Sequence, residues 1–506
     1  MTDIVLCALN ARYLHTAFGV RYLLANLGPL RSRALLLEFN LDTRAEDIVE
    51  AILLKQPQIV GLGVYIWNAS LALSVVRVLR KVSRETTIVL GGPEVSHEIE
   101  GQALLDLADY VIQGEGEVAF QTLSEAILGG DPPSDRILHA APVDLNEIVL
   151  PYDTYDAEDI AHRLIYVEAS RGCPFHCAFC LSALDRGVRY VDRGRLFLAF
   201  RELLRRGVRH FKFVDRTFNL RLDRTLDVLS FFETEAPDDV FLHFEWVPER
   251  LGAKLLAALE VVDPTRVQLE VGIQSLNPDV LKAIAIRRDL RRVEANVRTL
   301  VELGVHLHAD LIAGLPGEDL ASFGEGFDRL HAWGVDEIQL GLLKRLRGAP
   351  ITATEFAMLR FAEEAPYDVI ASDAMDFFTL QGMKRLAYLW DRVGNSGNFM
   401  KTLPLLASEG SLFRSVVGFS EAIFAQEGRV HAIALDRLTL LLRDYLVNQG
   451  LCRDVVEATL INDYRRVGRK LPRELRDGEG RGRGRVGRSD ARLPKRQARH
   501  HGEGEA

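Results

Sequence analysis

The chain has only five cysteines in 506 residues, and two of them, Cys7 and Cys452, stand alone and far apart. That excludes a disulfide framework and fits a reducing compartment, the cytoplasm. No apolar run reaches the ~18 residues that a membrane-spanning helix needs. The start, Met1-Thr2-Asp3, lacks the basic stretch of a secretory leader and passes directly into an apolar run. A G-x-G-x-x-G fingerprint is missing too, which argues against a nicotinamide-binding domain. Positive charge is in deficit: 62 Lys and Arg face 71 Asp and Glu, a net charge of −9. From Arg476 onward nine Lys/Arg oppose five Asp/Glu, so residues 1–475 carry −13. A body charged in this way repels nucleic-acid phosphates, and neither nucleic acid nor membrane is expected as a partner.

What is present is an ordinary globular composition, 48% hydrophobic and 26% charged, long enough for two or three domains. Residues 4–9 form a continuous apolar run, as a strand buried on both faces requires. Strand patterns follow at Ala34–Phe39, Ile59–Val64, Thr87–Leu90 and Tyr110–Ile112, with helical patterns between them. This alternation predicts a doubly wound parallel sheet over residues 1–130, with ligands at the carboxyl ends of its strands. Gly61, Gly63, Gly91, Gly92 and Gly114 fall at those ends; taken singly, each is equally explained by turn chemistry. Residues 131–162, with Pro132, Pro133, Pro142 and Pro151, read as a linker.

The other three cysteines sit within eight residues, Cys173-Pro-Phe-His-Cys177-Ala-Phe-Cys180, spaced C-x3-C-x2-C. One loop can wrap three such thiolates around an iron–sulfur cluster, leaving one iron of four without a protein ligand. Zinc is the alternative, with His176 as a fourth ligand, but zinc sites usually bring their ligands in two separated pairs. With the strand pattern Leu164–Ala169 ahead of it and Phe179 before the last cysteine, the loop resembles that of radical S-adenosylmethionine (SAM) enzymes. Gly91-Gly92-Pro93 followed by Gly114-Glu115-Gly116-Glu117 is similar to the cobalamin-binding domain preceding many radical SAM cores. The Asp-x-His-x-x-Gly motif of many cobalamin proteins is absent; His15 is spaced differently, and cobalamin is expected without a protein histidine on cobalt.

Five further strand patterns, His210–Val214, Val240–Trp246, Val267–Gly272, Val305–Ile312 and Glu337–Leu342, complete six βα units over residues 163–365. They predict an open, partial TIM-like barrel with its chemistry at the strands' carboxyl ends. The resemblance implies that Cys173, Cys177 and Cys180 hold a [4Fe–4S] cluster whose free iron is chelated by SAM. It further implies Phe179 near the adenine, Glu270, Gln274 and Ser275 near ribose or methionine groups, and Gly314 with its backbone against adenine. Gly91, Gly92, Gly114 and Glu115 are the implied cobalamin contacts. Asp215 and Glu245 face either SAM or substrate.

Residues 366–472 change to a helical texture, in which Asp373–Phe378 either closes over the barrel mouth or belongs to a helical cap packed on the barrel away from substrate. Cys452 reads as a packed structural thiol. Residues 473–506, rich in Gly and Arg, are expected to be a disordered, solvated tail. The resemblance implies an oxygen-sensitive enzyme that splits SAM reductively, with electrons from an external low-potential donor. The cobalamin domain implies methyl transfer to an unactivated carbon of a small-molecule substrate. Two other readings stay open: a non-methylating cyclisation, rearrangement or oxidation, and a noncatalytic iron–sulfur or cobalamin sensor.

Overall fold

In the structure, a computed structural model, residues 2–185, 187–407, 410–476 and 494–501 are described. Six strands make the first sheet: β1 (Ile4–Asn10), β2 (Ala34–Asn40), β3 (Ile59–Gly63), β4 (Thr87–Gly91), β5 (Tyr110–Gly114) and β6 (Ile137–Ala140). All pair in parallel, in the order β2-β1-β3-β4-β5-β6. Every residue of β1 is buried, as its unbroken apolar run requires. Helices α1 (Phe18–Ala25), α2 (Ala45–Leu53), α3 (Ala69–Val82) and α4 (Gly116–Gly129) supply the crossovers. The stripe Ala72, Val75, Val76 and Leu79 of α3 recurs at three- and four-residue steps and faces the sheet. The chain leaves α4 through Gly130, whose φ of 79° only glycine adopts without strain.

The stretch expected as a linker departs from expectation. Ile137-Leu-His-Ala140 adds β6 to the sheet edge, and Ala157–His162 forms a short helix opened by a capping box between Asp156 and Asp159. β6 is an edge strand that alternates between exposed and half-buried residues, so it lacks the apolar run that marks its neighbours.

The second sheet is the predicted partial barrel: β7 (Ile165–Val167), β8 (His210–Phe213), β9 (Phe241–Trp246), β10 (Val267–Gln274), β11 (His306–Ala313) and β12 (Glu337–Leu342). These strands are parallel and pair in sequence order, with β7 and β12 as open edges. Helices α5 (Arg193–Arg205), α6 (Leu222–Glu235), α7 (Ala253–Val261), α8 (Leu290–Glu302) and α9 (Leu320–Trp333) cover its outside. Phe200 of α5 is fully buried, and its ring meets those of Phe211, Phe213, Phe231 and Phe232 at 5.4–5.8 Å.

Four longer helices follow, α10 (Phe377–Val393), α11 (Leu412–Glu427), α12 (Leu435–Asn448) and α13 (Arg453–Arg466). They close the β12 edge: Ile338 N–H donates to Asn395 Oδ1 (2.9 Å), and its carbonyl accepts from Trp390 Nε1 (2.9 Å). Cys452, expected to be packed, is exposed at the start of α13, because the preceding Gly450 turn carries it away from the bundle.

The tail also departs from expectation. Residues 477–493 and 502–506 lie outside the described residues, but Arg473–Leu475 forms a turn and Lys495–His501 a helix, α14. That helix seats at the amino ends of the barrel strands. Gln497 Nε2 donates to Gln268 Oε1 (2.5 Å), Arg496 pairs with Glu337 (2.7 Å), and the His500 ring packs on His306. Its anchors are polar and so gave no apolar periodicity. Among the described residues, no helix is long and apolar enough to cross a membrane.

Phe200→Ala removes the ring on which two layers of the barrel close. It should destabilise the barrel by roughly 3–5 kcal/mol, read as a lowered denaturant midpoint.

Candidate active site

The carboxyl ends of the first sheet open into a cleft of about 760 Å³. Its walls come from Gly61 and Gly63 in β3, Gly91 and Gly92 at the end of β4, and Gly114 and Glu115 at the end of β5. Phe18, Gly19 and Tyr22 of α1 complete that side. The far wall belongs to the barrel: Glu168, Arg171 and Leu181. Arg171 stands two residues before Cys173, and Leu181 directly follows Cys180. The cleft and the cysteine loop therefore share a wall.

The conformations of Gly92 and Gly114 explain their identity. With φ of 101° and 94°, each would drive a Cβ to 2.5 Å from a backbone carbonyl, that of Val64 or of Ala140. Backbone packing alone requires both glycines. A Cβ on Gly91 would meet only the Ile112 carbonyl at 3.6 Å, so its absence serves the smooth wall more than the fold.

Arg171 organises the shared wall. Its guanidinium donates to Glu117 (2.8 Å) and Glu168 (2.7 Å), stands 3.5 Å from Glu115 and lies 5.1 Å from the centre of the Tyr22 ring. Glu115 is also held by Arg189 (2.6 Å) and by Val143 N–H (2.7 Å), contacts that keep its carboxyl below the usual range despite burial. Tyr65, stacked on half-exposed Trp67 with ring centres 4.4 Å apart, and His97 and His139 also line the cleft. None of these was evident in the sequence, since Tyr65 and His97 reach the cleft from the connections after β3 and β4, and His139 from the edge strand β6. His15 takes another place. Its Nδ1 lies 2.6 Å from Tyr166 Oη on β7, so it joins the two sheets and does not line the cleft.

The cysteine loop is fixed at both ends and in its middle. Asp215, after β8, accepts from Ala169 N–H (2.9 Å) and Ser170 Oγ (2.5 Å) just ahead of the loop. Cys173 N–H donates to the Asp185 carbonyl, Ala178 N–H to that of Ile284, and Ile351 N–H to that of Ala178. All three thiols are free; Cys173 is buried, and Cys177 and Cys180 are half-buried. Burial and the neighbouring thiols push Cys177 up to about 11, and burial raises Cys173, so binding iron must release their protons. Among the described residues no three His, Cys, Asp or Glu side chains converge on a single ion. A four-iron cluster asks something different, one iron for each thiolate. His176, the fourth ligand of the zinc alternative, is exposed.

Above the lumen lie the other expected residues. Phe179 packs half-buried against the barrel core. Glu270 is bound by His243 Nε2 (2.8 Å) and Lys212 Nζ (3.1 Å), and these partners pull its carboxyl well below the ordinary range against the cost of burial. Gln274 ends β10 with φ of 69°, in a bulge where a side chain on Gly272 would strike it. The Ser275 hydroxyl is committed to Glu318 Oε1 (2.5 Å), so it braces the Gly314–Glu318 loop. The space beyond Gly314 is filled by Val369 and Leu380, and Gly317 N–H donates to Asp373 (3.1 Å). The segment around Asp373 thus lies over the barrel mouth. Glu245 pairs with Arg216 (3.2 Å) at the rim, while Asp215 is turned inward.

Residues 4–124 match the B12 binding domain family, and residues 167–330 match the Radical SAM superfamily. The chain is 26% identical over 304 residues to an uncharacterised methyltransferase of Pyrococcus horikoshii, spanning 55% of this chain and 64% of that protein. It is 24% identical over 353 residues to the cobalamin-dependent radical SAM methyltransferase TokK of Streptomyces tokunonensis, spanning 62% of this chain and 49% of that protein. The alignments therefore leave a third to a half of these relatives unmatched. Among solved structures, OxsB with aqua-cobalamin and SAM bound superposes with a TM-score of 0.65 at 13% identity, covering 92% of this chain and 83% of that one. TsrM of Kitasatospora setae, with cobalamin and a [4Fe–4S] cluster, gives 0.57 at 15% identity, covering 72% and 78%. At such identities the shared property is the fold. The radical SAM domain implies a [4Fe–4S] cluster and SAM, and the B12 binding domain implies cobalamin.

Asp215, fully buried, is pushed up to about 7 by burial. An unfolded aspartate titrates near 3.9. Between those values the native state keeps a proton that the unfolded chain has released. The stabilisation is therefore complete below about pH 4 and is lost as pH rises through about 7. Thermal melts of the cluster-free protein should show this loss as the pH-dependent difference between wild type and Asp215→Asn; a constant difference from pH 4 to pH 7 contradicts the shift.

Proposed function

From a chain that belongs to the radical SAM superfamily and carries a B12 binding domain ahead of its barrel, we propose a cobalamin-dependent methyltransferase acting on an unactivated carbon of a small molecule. The observation that carries this reading is the shared wall. Arg171 and Leu181, which flank the cysteine triad, line the same cleft as the glycine-bearing strand ends of the first sheet. A methyl group passed between two cofactors needs such contiguity, whereas a sensor with independent sites does not.

The residues present fit both groups. Corrin side chains end in amides, and the cleft offers them Ser96, Gln113, Glu115 and His139 besides backbone groups of the glycine turns. Gly91, Gly92, Gly114 and Glu115 are the proposed contacts. Cys173, Cys177 and Cys180 hold the cluster and leave one iron for SAM. When loaded, these groups supply one-electron cleavage of SAM and a carrier for a methyl group.

The protein's own work is binding, orientation and exclusion of solvent. Asp215 and the backbone bonds to Ile284 and Ile351 hold the triad loop, so the thiolates need little rearrangement to meet iron. Phe179 offers an apolar face and Gly314 a backbone edge for the adenine, while Glu270 and Gln274 offer polar atoms to the ribose or methionine groups. Ser275 acts behind them, through Glu318. The cover around Asp373 keeps water from the mouth. Electrons come from an external low-potential donor.

Anaerobic reconstitution with hydroxocobalamin should give about four irons and one cobalt per chain. Replacing Cys173, Cys177 and Cys180 together by alanine should abolish the iron and the reductive cleavage of SAM while cobalt stays. A turning-over enzyme should release both S-adenosylhomocysteine and 5′-deoxyadenosine. 5′-Deoxyadenosine alone points to a non-methylating reaction, and zinc in place of iron refutes the whole reading.

A further inference from the structure

The loop after β4 has two faces. Pro93, Ser96 and His97 line the cleft. Glu94 and Glu98, on the other face, reach out of the first domain to the segment that follows β12. Glu94 Oε1, buried, accepts from Arg347 Nε (2.7 Å) and from Tyr367 Oη (2.6 Å). Glu98 takes the Gly348 N–H (3.0 Å) and pairs with Arg345. The contact is close-packed: a Cβ on Gly348 would lie 2.5 Å from the His97 ring.

The partner segment is itself a junction. Ile351 N–H donates to the Ala178 carbonyl, inside the cysteine triad (2.8 Å). Arg345 N–H donates to the Tyr367 carbonyl (3.1 Å), and two residues on, Val369 N–H donates to that of Leu343 (2.8 Å). Val369 then fills the space beyond Gly314, and Asp373 holds the Gly317 N–H. A continuous set of contacts thus joins the corrin cleft, the cluster loop and the cover over the mouth.

The two ends of the clamp are strained. Glu98 has φ of 49° and Tyr367 φ of 50°, left-handed conformations in which neither residue type is comfortable. Such conformations persist where surrounding bonds over-determine them: Tyr367 N–H bonds the Glu364 carbonyl, the Glu98 carbonyl accepts from Gln102 Nε2, and the clamp holds both side chains. If the bonds at Glu94 and Glu98 loosen, the segment loses this tie to the first domain.

We infer that Glu94, Glu98, Arg347 and Tyr367 are positioning residues that couple the two cofactor sites. Occupancy of the cleft steadies the Gly92–Glu98 loop, the clamp seats the cover, and SAM binds more tightly. By linkage, SAM tightens cobalamin by the same factor. The inference rests on the cofactors assigned above and adds their interdependence.

The test is equilibrium binding under non-reducing conditions, so that nothing turns over. SAM is titrated into the iron-reconstituted full chain with and without hydroxocobalamin, for wild type, Tyr367→Phe and Arg347→Gln. Wild type should bind SAM about tenfold more tightly with hydroxocobalamin, within the usual range of coupling. Tyr367→Phe removes one hydroxyl and keeps the ring; it should bring the factor near one with iron content and each single-cofactor affinity little changed. Arg347→Gln should do the same. An equal SAM affinity with and without hydroxocobalamin in wild type overturns the coupling, and so does a factor that survives in both variants. Hydroxocobalamin that fails to bind wild type at all overturns the cobalamin assignment, and the coupling with it.

Discussion

Two parallel sheets can serve one reaction only if their carboxyl ends face a common space, and polar bonds between them enforce that arrangement here. Arg21 and Arg163 share Glu38 and Asp159 in a group whose side chains are 3–12% exposed. Arg171 binds Glu117 across the cleft, and Glu94 binds Arg347 and Tyr367 on the far side. Breaking one partner of such a buried pair costs ~3–5 kcal/mol, because a charge is left without compensation. The net gain over an apolar interface is small, but the directional bonds fix an orientation that a greasy contact would leave free to slide.

The same logic explains why the cysteine triad is held by the main chain. Ala178 and Phe179 pack the loop onto the barrel core, but apolar contact alone does not orient three thiols. The loop is fixed by Asp215 from the second barrel strand, by the Ile284 carbonyl from the β10–α8 connection and by Ile351 from the segment after β12. Three separate parts of the barrel therefore determine where the triad stands. The last of them is the segment clamped to the cleft of the first sheet, so the triad is referred to both sheets at once.

Much of this was legible where the information is local. Continuous apolar runs marked the buried strands, and the C-x3-C-x2-C spacing marked the loop. β6 was missed because an exposed edge strand needs no apolar run, and α14 because its anchors are Arg496, Gln497 and His500. Arg171 looked like any arginine until folding set three carboxylates around it, and Tyr65, His97 and His139 meet only in space. Ser275 illustrates the limit from the other side. Its position at a strand end was readable, but its commitment to Glu318, forty-three residues on, was not.

The barrel interior carries the last consequence. A closed eight-stranded barrel fills its lumen with branched apolar side chains. Here the outward positions are the apolar ones, Phe211, Phe213, Leu242, Phe244, Leu269 and Val271, packed in the core shared with the outer helices. The alternate positions are polar: Tyr166, Lys212 and His243 lie opposite one another, as do Glu270, His308 and Glu337, and the bonds of Glu270 to Lys212 and His243 join the two rows. Charged groups satisfied by one another do not collapse into a dry plug, and six strands leave a gap that eight would close. The lumen is thus lined by polar groups. Its amino end needs a separate stopper, and Gln497 on Gln268 with His500 on His306 supply it from the last helix of the chain. The stretch with the least hydrophobic content in the sequence thus closes the floor of the most polar part of the fold.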